Sequence, residues 1–185
     1  MRIGVFGGTF DPVHVGHLAI AQAALDTAAL DRVIFVPARR SPLKDRAPAA
    51  SEEDRLAMLD AAVKDEPRFA VSRVEIDRPG PSYTVETLES LKTEGELFLI
   101  LGSDALADLD KWRSPDRIRA LATILVARRP GAPEPEARSG ARSFDAPCLD
   151  ISSRELRARA SRRLSLRYLV PDEVWRHIAR KGLYQ

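Results

Sequence analysis

Residues 2–17 read Arg2-Ile3-Gly4-Val5-Phe6-Gly7-Gly8-Thr9-Phe10-Asp11-Pro12-Val13-His14-Val15-Gly16-His17. The short apolar run 2–6 predicts a β-strand, the glycine pair predicts a turn, and the apolar pattern over about 15–28 predicts a helix. Two adjacent glycines let a backbone approach a ligand closely. A helix that begins just beyond them offers unpaired N–H groups and a partial positive charge to an anion.

Outward from this unit the same alternation repeats. Strands are expected at 32–36, 69–76, 97–101, 123–127 and 148–151. Helices are expected after Ser51 (with Leu56, Leu59 and Val63 on one face), at 85–91, after Ser114-Pro115, from Ser152, and from Pro171 to Lys181 with a stop at Gly182. The run Leu97-Phe98-Leu99-Ile100-Leu101 is apolar throughout, as a strand covered on both faces requires. Strand–helix alternation implies a Rossmann-like, doubly wound, mainly parallel sheet of about six strands with helices on both faces. Residues 1–185 read as a single domain whose part from about 152 is helical. The proline-rich stretch 128–147 reads as a surface loop. In such a fold ligands sit beyond the carboxyl ends of the strands, where strand order reverses.

Composition narrows the class. The 185 residues are 44% hydrophobic and 30% charged, with a net charge of +2. No field points to nucleic acid, and no apolar run approaches the roughly 20 residues that cross a bilayer. The only cysteine, Cys148, cannot pair within the chain, which suits a reducing cytoplasm, and it reads as buried filler because no base lies near it. Residues 151–181 carry nine basic residues against three acidic ones. This reads either as a solvated helix face or as an anion site at the start of the segment.

The chemistry concentrates in a few motifs. His14 and His17, three apart at a helix start, can point to one side; taken alone they also fit a metal pair or a helix surface. Ile151-Ser152-Ser153-Arg154-Glu155-Leu156-Arg157 has capping-box spacing at Ser152 and Glu155, and its hydroxyls, helix start and arginine suit phosphate. Together, H-x-G-H and I-S-S-x-x-[IL]-R resemble the signatures of the H-x-G-H nucleotidyltransferase superfamily. Pro81-Ser82-Tyr83-Thr84-Val85-Glu86-Thr87-Leu88, and Gly102-Ser103-Asp104 followed by Trp112, are similar to segments of bacterial nicotinate-mononucleotide adenylyltransferases.

The resemblance spans essentially the whole chain and implies transfer of AMP from ATP to nicotinate mononucleotide, in NAD biosynthesis. His14, His17, Arg157 and Lys44 would be catalytic. Gly7, Gly8, Thr9, Phe10, Gly102, Asp104, Ile151, Ser152 and Ser153 would join them around ATP. Asp11, Lys44, Tyr83, Thr84, Trp112 and Arg113 would meet the acceptor, Trp112 offering a flat face and Thr84 a hydroxyl. Mg²⁺ is expected to arrive with ATP, with no metal site of the protein's own. The expected partners are therefore the two nucleotides, without nucleic acid or membrane, and self-association is left open. Two departures stand out. Ser41-Pro42-Leu43-Lys44 replaces the family's P-P-H-[KR], and Arg113 occupies a position where an aromatic is frequent. The alternatives are an adenylyltransferase for nicotinamide mononucleotide or phosphopantetheine, or a non-catalytic nucleotide-binding module.

Overall fold

The computed structural model describes residues 1–42, 46–128, 140–147 and 149–185. The chain runs β1 (Arg2–Gly8), α1 (Val15–Thr27), β2 (Arg32–Pro37), α2 (Glu52–Val63), β3 (Phe69–Val71), α3 (Val74–Asp77), α4 (Thr84–Leu91), β4 (Glu96–Gly102), α5 (Ser103–Ala107), a 3₁₀ turn (Leu109–Lys111), α6 (Pro115–Leu121), β5 (Ala122–Arg128), β6 (Ala141–Asp145), α7 (Ser153–Ser161) and α8 (Asp172–Lys181). The strands form one sheet in the order β3-β2-β1-β4-β5-β6, every pairing parallel. This is a Rossmann-like fold.

Period-two alternation divides the apolar strands between two cores. Leu97, Leu99 and Leu101 join Ile3, Val5, Ile34, Val36, Ile124 and Val126 beneath α4 and α6. Phe98 and Ile100 join Phe6, Val33, Phe35 and Leu125 on the opposite face, under α1, α2, α7 and α8. Gly4 lies on that second face; a Cβ there would stand 2.9 Å from both Ile100 and Leu30. The chain leaves β1 toward β2 and β3, then crosses back to place β4 on the other side of β1. The order therefore reverses between β1 and β4, at Gly7-Gly8 and Gly102, which is where an α/β sheet opens a ligand crevice.

Three sequence expectations need correction. The strand expected over 69–76 ends at Val71. There Ser72 N–H donates to the Phe35 carbonyl at 2.9 Å, Ser72 Oγ accepts from Val74 N–H at 3.4 Å, and the chain turns into α3 instead of laying Arg73 along the sheet. The sixth strand lies at 141–145, inside the expected loop, while residues 149–151 of the expected strand form none. Ser114 carries a left-handed backbone (φ 55°) and makes no side-chain cap to α6. Cys148, Lys44 and residues 129–139 lie outside the described residues. No described helix is long and apolar enough to cross a membrane.

Candidate active site

The glycine pair expected as a turn instead ends β1, with Gly7 and Gly8 in register with Val36 and Pro37; the turn follows it, through Thr9–Val13 into α1, whose N-cap is His14. Phe10 has φ 49°, and its ring is buried edge-on to Phe6 at 5.8 Å and to His17 at 5.0 Å. Phe10 thus contributes its ring to the core and only its backbone to the turn, so the expected nucleotide contact falls to its backbone. A Cβ at Gly8 would strike that ring at 2.8 Å, which explains the second glycine by packing.

The two imidazoles stack, with centroids 3.7 Å apart and planes 28° apart. His17 Nδ1 accepts from the His14 backbone N–H at 3.2 Å. This fixes the neutral tautomer with the hydrogen on Nε2, the state that donates to an anion. A Cβ at Gly16 would lie 3.1 Å from His14 Nδ1, so the glycine between the histidines makes room for a histidine. His14 is buried, its Nδ1 has no partner among the described residues, and burial lowers its pKa from 6.5 to about 4.

That shift has a stability consequence. Between pH 6.5 and about 4 the unfolded chain binds the His14 proton and the folded chain does not. Stability is therefore full above pH 6.5 and declines as pH falls, by up to about 3 kcal/mol from this group. His14→Gln should remove that share of the slope, measured as the difference in urea midpoint between pH 7 and pH 4.5 for the two proteins.

The second wall is the start of α7. Ser152 caps it, accepting from Glu155 N–H at 3.2 Å. Ser153 Oγ donates to the Pro12 carbonyl at 2.9 Å, and Arg157 Nη1 donates to the Asp11 carbonyl at 2.7 Å. Residues 141 and 146 positions apart in the chain are thereby stitched together. The start of α7, with the half-buried Arg157, is thus tied to the segment that leads into His14 and the start of α1.

Asp11 is the hub of this junction, not a wall of the crevice. It is 3% exposed. Its Oδ2 accepts from Ala49 N–H at 2.7 Å, and its Oδ1 accepts from Ala50 N–H at 3.0 Å and from the Tyr184 hydroxyl at 2.8 Å. Its carboxylate is thus engaged in holding the chain together and does not line the cavity where the other expected acceptor residues gather. Arg55, fully buried, donates to the carbonyls of Thr9 at 2.9 Å and Ala38 at 2.8 Å. Sequence reasoning missed Arg55 and Tyr184, since an arginine in a charged helix start and a tyrosine after a helix stop carry no local signal of burial.

Beside the glycine end of β1 opens a cavity of about 480 Å³ lined by Gly7, Gly8, Thr9, Tyr83, Thr84, Gly102, Trp112 and Arg113, among others. The structure thus gathers the expected acceptor residues Tyr83, Thr84, Trp112 and Arg113 against that end of β1. The indole N–H of Trp112 is buried and has no partner among the described residues. Arg113 lies over the Tyr83 ring at 4.6 Å and helps wall the cavity, pairing at 2.9 Å with Glu86, which it shares with Arg78. Asp104 is exposed on α5 and does not line the cavity. Ile151 packs against the core under α7. Ser82, also missed, ties the cavity wall to the loop after β2: its Oγ accepts from Arg39 N–H at 2.9 Å.

Comparison with known proteins gives the family and the fold. Residues 5–159 match the cytidylyltransferase-like family. A Roseiflexus sp. (strain RS-1) protein named "Probable nicotinate-nucleotide adenylyltransferase" is 47% identical, over 99% of this chain and 98% of its own. A Thermus thermophilus protein of the same name is 46% identical over 100% of both chains. Among solved structures, Plasmodium falciparum nicotinic acid mononucleotide adenylyltransferase complexed with NaAD superposes with a TM-score of 0.81. It is 16% identical, with 99% of this chain and 97% of its own covered.

Proposed function

This chain belongs to the cytidylyltransferase-like family and, within it, to the nicotinate-nucleotide adenylyltransferases; on that footing we propose that it transfers AMP from ATP to nicotinate mononucleotide, giving nicotinate adenine dinucleotide and pyrophosphate. The observation that carries the reading is the pair of hydrogen bonds that ties Ser153 and Arg157, at the start of α7, to the Pro12 and Asp11 carbonyls just ahead of His14, next to an aromatic cavity at the strand-order reversal.

The acceptor's phosphate oxygen would attack the α-phosphorus of ATP as the bond to the pyrophosphate oxygen breaks. A phosphate monoester is already anionic at neutral pH, so the protein's task is to align the two groups and stabilise charge in the transition state. His17, with its hydrogen on Nε2, and His14, kept neutral by burial, would donate to phosphate oxygens. Arg157, and Lys44 from the loop after β2, would supply fixed positive charge. Ser153 already donates to Pro12, so its share would come through the N–H groups at the α7 start. Gly7, Gly8, Thr9 and Gly102 would let the nucleotides approach the backbone.

Mg²⁺ bound to the triphosphate would offset its charge. No three His, Cys, Asp or Glu side chains gather among the described residues, so phosphate oxygens and water fit as its ligands. We place the reaction in the cytoplasm, where ATP is available and the lone cysteine stays reduced.

The acid is favoured over the amide because the cavity presents a donor. A nicotinate carboxylate can accept from the hydroxyl of Thr84, which lines the cavity. An amide NH₂ turned the same way sets donor against donor and leaves a buried group unpaired. Pyrophosphate release with Mg·ATP and each of nicotinate mononucleotide, nicotinamide mononucleotide and phosphopantetheine tests this. The acid should exceed the amide about 10- to 100-fold in kcat/KM, the worth of one hydrogen bond to a charged group. Equal values for acid and amide would refute the preference, and product only with phosphopantetheine would refute the acceptor.

A further inference from the structure

We infer that Tyr184 is a positioning residue of the ATP site, acting through Asp11 to hold Arg157 in its working place. The inference rests on the proposed function only in that Arg157 faces the triphosphate.

The Asp11 carboxylate has two sides. On one, Oδ2 accepts from Ala49 N–H and lies 3.7 Å from Arg157 Nη1. On the other, Oδ1 receives the Tyr184 hydroxyl at 2.8 Å together with Ala50 N–H. The phenol therefore holds the carboxylate from the side opposite the arginine. Remove that hydroxyl and Oδ1 keeps a single donor. The buried carboxylate, less well solvated by protein dipoles, then draws harder on the nearest cation. Arg157 would move inward and present less positive charge to a phosphate.

Local structure aims the phenol at this point. Helix α8 ends at Gly182 (φ 60°), and Leu183 N–H returns to the Ile178 carbonyl at 3.1 Å. Tyr184 itself takes φ 68°, a conformation that a non-glycine residue keeps only where its surroundings impose it. Leu183 and the Tyr184 ring both pack on the core beneath α7 and α8. Burial, helped by the Asp11 charge, raises the phenol pKa far above its ordinary value. It thus remains a hydrogen-bond donor at any working pH.

The test reads binding of Mg·ATP alone by titration calorimetry, together with steady-state kinetics. Tyr184→Phe should weaken the Kd for Mg·ATP about 10-fold, lower kcat/KM for ATP by a similar factor, and leave KM for nicotinate mononucleotide unchanged. Leu183→Ala disturbs the same turn without touching the hydroxyl. It should lower Tm by several degrees yet keep the Kd within about twofold of wild type. In an Arg157→Lys background the Tyr184→Phe penalty should shrink to below about threefold, because the two residues act as one unit. Wild-type affinity in Tyr184→Phe, equal weakening by Leu183→Ala, or a full penalty in the Arg157→Lys background would each overturn the inference. The binding arm uses no acceptor, so failure of the wild-type protein to use nicotinate mononucleotide would strike the proposed function and leave this result standing.

Discussion

Replacing His17 with alanine is expected to lower kcat about 100- to 1000-fold, the cost of removing one donor to developing charge, while the protein stays folded. Geometry supports a large kinetic effect. The His17 ring is held by the 3.7 Å stack on His14, by edge contacts with Phe6 and Phe10 and by the hydrogen bond from His14 N–H. A ring gripped this way costs no reorganisation when charge develops, which is what gives a preorganised donor its value. Geometry also limits the structural damage. His17 is half-buried, and one helix-cap bond is lost with it, worth about 1 kcal/mol. His17→Gln separates the two effects, since its amide oxygen can still accept from His14 N–H. It should recover most of the lost Tm while recovering little of the rate. Turnover would be followed by pyrophosphate release at saturating substrates. A well-folded His17→Ala protein with near-normal kcat would remove His17 from the chemistry.

The sequence revealed those features whose cause is local. The run 97–101 is apolar at every position because both faces of β4 are covered, and periodicity reads such a strand directly. The helix start at Ser152 was legible because capping chemistry acts over three residues, and that of α1 because its apolar pattern begins at Val15. Strand β6 escaped notice because, on the edge of the sheet, it fully buries only Phe144 of its five residues, so its composition is that of a loop. The short α5 and the 3₁₀ turn between Gly102 and Trp112 were equally silent, being too short for a period to emerge. The polar network was invisible for another reason. Asp11 meets Ala49 and Ala50, Arg55 meets Thr9, Arg157 meets Asp11, and Tyr184 meets Asp11 across separations of 38, 39, 46, 146 and 173 residues. No short-range pattern can encode such pairs. A carboxylate in a ligand-binding turn therefore reads as a ligand contact until the fold shows that backbone N–H groups already engage it.

Asp11→Ala should be the most destabilising single change at this junction, by about 3–5 kcal/mol, the range found when one partner of a buried charge network is removed. Deleting the carboxylate leaves the N–H groups of Ala49 and Ala50 and the Tyr184 hydroxyl without their acceptor. It also withdraws the negative charge that opposes the cost of burying Arg55, whose pKa burial lowers and Asp11 raises. The loop after β2, the α8 end and the turn after β1 would come apart together. Asp11→Asn is the finer probe. Its oxygen replaces one acceptor, but its NH₂ must face an N–H or hydroxyl donor, so a loss of about 1–3 kcal/mol is expected. Urea unfolding at pH 7 would read both variants, with an unchanged m-value showing that the unfolded state is the same. Kinetics then separate the hub from the acceptor contact suggested by the sequence. If Asp11 touched the acceptor, Asp11→Asn would keep wild-type stability and raise KM for nicotinate mononucleotide alone. As the anchor of Arg157 and the turn, it should lose stability and weaken ATP binding instead. Wild-type stability with only the acceptor KM raised would return Asp11 to the crevice wall.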